Sequence, residues 1–245
     1  MKRLPHKALL VFSLFLSLGV CAQENQTLRA GLFYIVPFGY VDSDTGEVTG
    51  ITASLIQAIE SESDIPISLK LVPYKRLIAS LEQGSIDFAI FFRSEVTDQV
   101  SDSLLPVYDL DTVVMTRSSF VVNQYEDLYA LRLATPVGVR YSPKFDKDEK
   151  LRVNRVEDYS NAVLMLDKGF VDGVVGPEKI LSYQLNAHKL DTEMFSNSYT
   201  LTTNTAWLQF SKKFNNESVK QRVIKSVEAL KASGKVSEIL EYSFD

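Results

Sequence analysis

The chain reads "LEQGSIDFAIFF" at Leu81–Phe92 and, far downstream, "LDKGFVDGVVGP" at Leu166–Pro177. Both run leucine, acid, polar residue, glycine, any residue, β-branched residue, aspartate, then an apolar stretch. Gly84 and Gly169 stand where a helix ends in a left-handed residue, a conformation that glycine adopts without a Cβ clash. The apolar run after each aspartate is short and reads as a buried strand. The repeated sentence is therefore helix, stop glycine, buried strand, at the same position of two α/β units.

The flanking residues extend both units. Before the first copy, Thr27–Phe38 is β-rich, and Tyr40–Gly50 carries turn chemistry at Asp42–Gly46, which predicts a hairpin. "ITASLIQAIESES" sets Leu55, Ile56 and Ile59 on one helical face. Ile67–Tyr74 alternates as a strand, and Lys75–Gly84 is a short helix with Leu77, Ile78 and Leu81 inward. Strand, helix, strand, helix, strand predicts a parallel sheet with helices on its faces. The pattern restarts with a strand at Arg132–Val139 and a helix at Asp158–Gly169, capped by Asp158 or Ser160. A strand at Val171–Gly176 follows, then a helix with Pro177 in its first turn. Asp111–Arg117 and Thr203–Ser211 are further extended pieces. A long amphipathic helix starts at Asn215 or Asn216 and stops at Gly234, and "VSEILEYSF" closes the chain as a last helix.

Composition bounds the class. The 245 residues are 45% apolar and 23% charged, which is globular rather than disordered. Residues 1–22 stand apart: Lys2, Arg3 and Lys7 precede the uncharged apolar run Ala8–Val20, which is too short to span a bilayer comfortably. This predicts a signal peptide cut after Ala22 and export to the periplasm. A competing outcome is lipid attachment at Cys21, against which Val20 is a poor preceding residue. Cleavage removes the single cysteine, so no disulfide or thiol chemistry is expected. It also removes three cations, taking the formal net charge from −5 to −8. That surface disfavours nucleic acid and anionic membranes. No second segment is apolar and long enough to span a membrane, which predicts a soluble mature chain.

Five segments carry the resemblance to a known family: "VPFGYVDSDTGEVTGITASLIQAI", "VPYKRLIASLEQGSIDFAI", "DLYALRLATPVGVR", "MLDKGFVDGVVG" and "LKASGKVSEILEYSF". Together they resemble the family 3 extracellular solute-binding proteins, the periplasmic receptors of polar amino acid importers, over nearly all of the mature chain. The resemblance implies a two-lobed type II periplasmic-binding fold. Residues 23–110 plus 206–245 form one lobe, residues 111–205 the other, and two hinge strands join them. It also implies closure on a small-molecule solute, an inner-membrane ABC permease as partner, a monomer, and no cofactor.

Ligands of open α/β sheets bind beyond the carboxyl ends of the strands. Those ends hold Phe33, Tyr34, Tyr74, Phe91, Phe92, Arg93, Ser94, Arg140, Tyr141, Ser142 and Glu178. The family pattern puts an arginine for the solute carboxylate where this chain has Gln99, and an aspartate for the ammonium where it has Pro177. Arg93 and Arg140 are then the expected anion holders, with Ser94 as a hydrogen-bond donor. Tyr74 and Tyr141 are the expected stacking rings; Tyr34, Phe92, Ser142 and Glu178 complete the candidate set. Two arginines among rings point to a carboxylate-bearing solute.

An enzyme is the thinner reading. The chain has no Gly-x-Ser-x-Gly or Ser-x-x-Lys motif and no glycine-rich phosphate loop, and His188 is the one histidine beyond the signal segment. The same fold hosts cyclohexadienyl dehydratases, for which Glu178 or Glu95 beside an arginine is the candidate acid–base group. A sensory or accessory receptor without its own transporter is the third class.

Overall fold

The structure, a computed structural model, describes residues 27–195 and 197–241. The expected signal segment and Cys21 lie outside these residues. In chain order the first elements are β1 (Leu28–Phe33), a hairpin of β2 (Tyr40–Val41) and β3 (Val48–Thr49), and α1 (Ile51–Ser63). There follow β4 (Ile67–Val72), α2 (Tyr74–Gln83), β5 (Phe88–Phe92), α3 (Glu95–Val100) and the long β6 (Ser101–Thr116). The second half holds β7 (Arg132–Pro136), α4 (Pro143–Lys147), β8 (Arg152–Val156), α5 (Tyr159–Asp167), β9 (Gly173–Pro177) and α6 (Glu178–Ala187). The chain returns through β10 (Asn197–Ser211) and ends in α7 (Glu217–Ala232) and α8 (Lys235–Leu240).

The strands order as β4-β1-β5-β10-β6-β9-β7-β8. β1 runs parallel to β4 and β5, and β7 runs parallel to β8 and β9. Between these parallel sets, β6 and β10 pair antiparallel from Ser101↔Ser211 to Thr116↔Asn197. β10 borders β5 through Ala206–Phe210, and β6 borders β9 through Thr112–Thr116. Two α/β lobes thus share one antiparallel ribbon, the expected type II periplasmic-binding architecture. No helix of the described residues is long and apolar enough to cross a membrane.

Each lobe has a core set by side-chain alternation. In the first, α1 and α7 bury Leu55, Ile56, Ile59, Val223 and Val227 on one face of the sheet, while Leu77, Leu81 and Ile86 fill the other. Phe88 and Phe210 stack at 5.3 Å between ring centroids across the β5–β10 pair. In the second lobe, Val174 points to α5 and α6 with Val163, Leu166 and Leu181, whereas the next residue, Val175, joins Leu133, Leu128 and Phe145 on the opposite face.

The stop glycines behave as expected: Gly84 and Gly169 have φ of 72° and 73°. The aspartate that follows each of them forms a clamp that the sequence reading left unused. Asp87 accepts from the Arg29 backbone N–H at 2.8 Å, from Nε at 2.9 Å and from Nη2 at 2.5 Å. Asp172 accepts from the Arg132 backbone N–H at 2.8 Å, from Nε at 3.0 Å and from Nη2 at 2.7 Å. Each guanidinium also donates to the carbonyl of the stop glycine, Gly84 at 2.7 Å and Gly169 at 3.1 Å. The repeated words are thus longer than they look: "LRAG" with "GSIDF" and "LRLA" with "GFVDG", one clamp tying the start of β1 to β5 and the other the start of β7 to β9.

Some boundaries differ from expectation. β6 begins at Ser101 rather than near Asp111, and β10 at Asn197 rather than Thr203. The start of β10 is polar and half-exposed, while the start of β6 buries Val107, Tyr108 and Leu110 but interrupts them with Asp102, Ser103, Pro106 and Asp109, so neither shows the unbroken apolar run that marks a buried strand. The pairing absorbs Pro106 beside an irregularity in register at Ala206/Trp207. α3, α4 and β8 are short and polar and carried no periodic signal. Of the alternative caps, Asp158 accepts from the Asn161 N–H at 2.8 Å and Asn216 from the Val219 N–H at 3.2 Å.

The two clamps differ in burial: Asp87 is 4% exposed against 14% for Asp172. Asp87→Ala leaves a partly buried guanidinium without its fork and is expected to cost about 3 kcal/mol in urea denaturation. Asp172→Asn is expected to cost about 1 kcal/mol. The bonds from Arg132 hold the Asp172 carboxyl below its ordinary 3.8. Its contribution is therefore complete above that value and is lost as pH falls through the depressed native one. Asp172→Asn should flatten this part of the acid limb in a stability–pH profile.

Candidate functional site

The loops at the carboxyl ends of β1, β4, β5, β7 and β9 carry the candidate residues. In the first lobe, Tyr74 opens α2 half-exposed, its ring edge-on to Phe33 at 5.4 Å. Tyr34 is exposed, and Phe92 packs against the core at the end of β5.

Arg93 is exposed, but its fork is occupied: Nε and Nη2 donate to the two Asp98 oxygens at 3.2 and 3.0 Å. The guanidinium also lies 5.3 Å from the ring centroid of Trp207. The Arg93 bonds hold the Asp98 carboxyl below the usual range. Arg93 is therefore paired within its own lobe, and holding a solute anion would require it to exchange Asp98. A reader of the sequence could have found the partner from the arginine and acid flanking a short capped turn.

Ser94 is likewise engaged locally. Its Oγ accepts from the Thr97 N–H at 3.2 Å, while Thr97 Oγ1 accepts from the Ser94 N–H at 2.8 Å, a reciprocal cap on α3. Gln99, in the family's arginine position, is exposed, and its side chain makes no hydrogen bond among the described residues.

In the second lobe, Ser142 is likewise a cap, accepting from the Phe145 N–H at 3.3 Å with Pro143 behind it. Tyr141 points inward rather than stacking in the cleft. Its hydroxyl contacts Thr135 Oγ1, lies 3.2 Å from the Tyr159 hydroxyl and donates to the Val175 carbonyl at 2.9 Å. Its ring stands edge-on to Phe145 at 5.8 Å. Burial raises the pKa of both Tyr141 and Tyr159, so both stay protonated at neutral pH. Arg140 and Glu178 are exposed and make no hydrogen bond or ion pair within the described residues.

Between the lobes lies a crevice of about 60 Å³. Phe33, Phe38, Phe91 and Phe92 form its first-lobe wall, Tyr108 and Leu110 its floor on β6, and Pro177 and Ile180 its second-lobe wall. Tyr108 stacks on Phe38 at 6.5 Å, its hydroxyl bonded to Thr52, and burial raises its pKa. Phe92 is the only member of the candidate set in this lining. Tyr108, Thr52, Tyr159 and Ile180 escaped the sequence reading because they lie on β6, or at helix starts, rather than at strand ends.

One serine–histidine contact exists among the described residues, Ser160 Oγ to His188 Nε2 at 2.7 Å. It ties the start of α5 to the end of α6, and no carboxylate among the described residues orients the imidazole. Those residues contain no cluster of three side chains able to hold a metal.

Residues 33–245 match the model of the bacterial extracellular solute-binding proteins, family 3. The chain belongs to that family. It is 21% identical, over its whole length and 97% of the relative, to a protein of Bacillus subtilis strain 168 named "Probable amino-acid-binding protein YxeM". It is similar in fold to an ancestral cationic amino acid solute-binding protein, with a TM-score of 0.72 and 18% identity, over 89% of this chain and 96% of that one. A histidine kinase sensor domain described as similar to periplasmic binding proteins has a TM-score of 0.62 and 16% identity, over 87% and 94% of the two chains.

A Cβ at Gly176 would lie 2.5 Å from Cε1 of Tyr159. Gly176→Ala is expected to push that ring away and break its contact with Tyr141. An overpacking cost of about 1–3 kcal/mol should lower the melting temperature by about 3–10 °C in a thermal melt. An unchanged melt would mean that the ring relaxes freely.

Proposed function

We propose that the chain is a non-catalytic periplasmic solute-binding protein that captures an amino-acid-like, carboxylate-bearing solute by lobe closure and delivers it to an ABC-type importer. It works as a monomer, and the lobes are residues 23–110 plus 206–245 and residues 111–205. Family membership supports the binding role, and the amino-acid-binding name of the Bacillus subtilis relative supports the solute class. The observation that carries the anion-binding part is Arg140: a guanidinium at a strand-end loop of the second lobe, exposed and without a partner among the described residues. Such a group meets a carboxylate with a two-point fork at little cost, because no existing bond must break. Arg93 joins only by exchanging Asp98 for the solute. Tyr34 and Tyr74 offer rings at the rim, and Glu178 is the nearest available anion to the family's ammonium-binding position.

Closure bends the ribbon of β6 and β10. There Thr205 Oγ1 donates to Asp109 at 2.6 Å and Thr203 Oγ1 to Asp111 at 2.5 Å, two cross-strand bonds on one face of the hinge.

A sensory receptor without a transporter is the second reading, supported by the shared fold of the histidine kinase sensor domain. A dehydratase has less support, since neither Glu95 nor Glu178 pairs with an arginine among the described residues.

Isothermal titration with amino acids and small carboxylates tests the assignment. Arg140→Ala is expected to weaken carboxylate binding about ten- to a hundredfold, the loss for a charged hydrogen-bonded contact. Arg93→Ala is expected to change it by less than about threefold, because Asp98 already fills that fork. The reverse order would move the anion site to the first lobe.

A further inference from the structure

We infer that the interlobe crevice is a hydrocarbon-binding subsite, so that the solute enters with an aliphatic or aromatic end buried and its charged groups at the mouth. This rests on the solute-binding reading and narrows it to apolar amino acids and their acid analogues, of the leucine or phenylalanine kind.

Three observations point the same way. The crevice has no charged residue in its lining. Its two polar members, Thr52 and Tyr108, are buried and bonded to each other, so neither is left seeking a solute group. A charged or strongly polar solute end placed there would lose its water without gaining a partner. Pro177 forms part of the second-lobe wall, so the chain presents a ring of methylenes there.

Size sets the second limit. About 60 Å³ is far below the ~300–1,000 Å³ of a pocket that swallows a whole ligand. That makes the crevice a site for one end of the solute rather than the whole. The walls come from both lobes, and Ile180 of α6 packs in the same core cluster as Phe38, Tyr108 and Leu110 of the first. An apolar end in this seam touches both sides of the hinge and so favours the closed form. The unpaired Arg140 is then left for the carboxylate outside the seam.

The test is a titration of the exported protein with matched probes, read by calorimetry and by the fluorescence of Trp207, the single tryptophan, which pairs across the sheet with the crevice residue Phe91. The series glycine, alanine, 2-aminobutyrate, norvaline and leucine grows only at the apolar end; arginine, lysine and glutamate extend to a charge instead. Binding is expected to tighten about fourfold per added methylene until the crevice is full. Leucine or phenylalanine should bind at least tenfold tighter than arginine or glutamate. Ile180→Phe, which fills the crevice, should abolish the gain along the series. Tighter binding of arginine, lysine or glutamate than of leucine would overturn the subsite while leaving the receptor reading standing. A flat series in the wild-type chain would do the same, whether or not the Ile180 variant folds. No binding of any probe would remove the receptor reading for amino acids, and the subsite with it.

Discussion

The antiparallel pairing of β6 with β10 is the constraint on which everything else leans. Two separate stretches of chain cross between the lobes, and each lobe builds its parallel strands against one end of that ribbon. The buried amide of Gln209 shows how tightly the first-lobe end is held: it donates to the Phe91 carbonyl at 2.9 Å and accepts from Ser101 Oγ at 3.0 Å, joining β5, β6 and β10. Where the ribbon leaves both sheets, Asp109 and Asp111 accept cross-strand bonds from threonines on one face. Polar contacts near solvent can lengthen and reform during bending in a way that interdigitated apolar side chains cannot. One face of the ribbon is therefore wet, while Tyr108 and Leu110 keep the other buried.

The fold was largely legible before any coordinates. Helix periodicity, stop glycines and apolar strand runs are local signals, and the repeated "GSIDF/GFVDG" sentence located the two units. What escaped were elements whose stability comes from neighbours: the first halves of β6 and β10, the edge strand β8, and the short capped helices α3 and α4. None of these has a clean hydrophobic period to read, since polar residues interrupt each and it is held by pairing or by a single cap.

The site was less legible, for a different reason. Sequence places a side chain at a strand end but does not say which neighbour has already engaged it. Arg93 is taken by Asp98, Ser94 and Ser142 are spent on helix starts, and the Tyr141 hydroxyl is surrounded by Thr135, Tyr159 and a carbonyl. Tyr74 and Arg140 remain exposed at strand-end loops, and Phe92 lines the crevice. The crevice could not be foreseen, because its walls come from five separate stretches of chain that meet only when the lobes do.

The Arg29–Asp87 and Arg132–Asp172 clamps sit at the amino ends of the parallel strands, the pole opposite the cleft. The clamps thereby tie each lobe together at one pole and leave the strand-end loops of the other to local bonds of their own, such as those of Tyr141 and Ser142 after β7. A scaffold partitioned in this way suits grafting: new strand-end loops could be installed to make a reagentless optical biosensor, with the lone tryptophan beside the hinge already in place as its transducer.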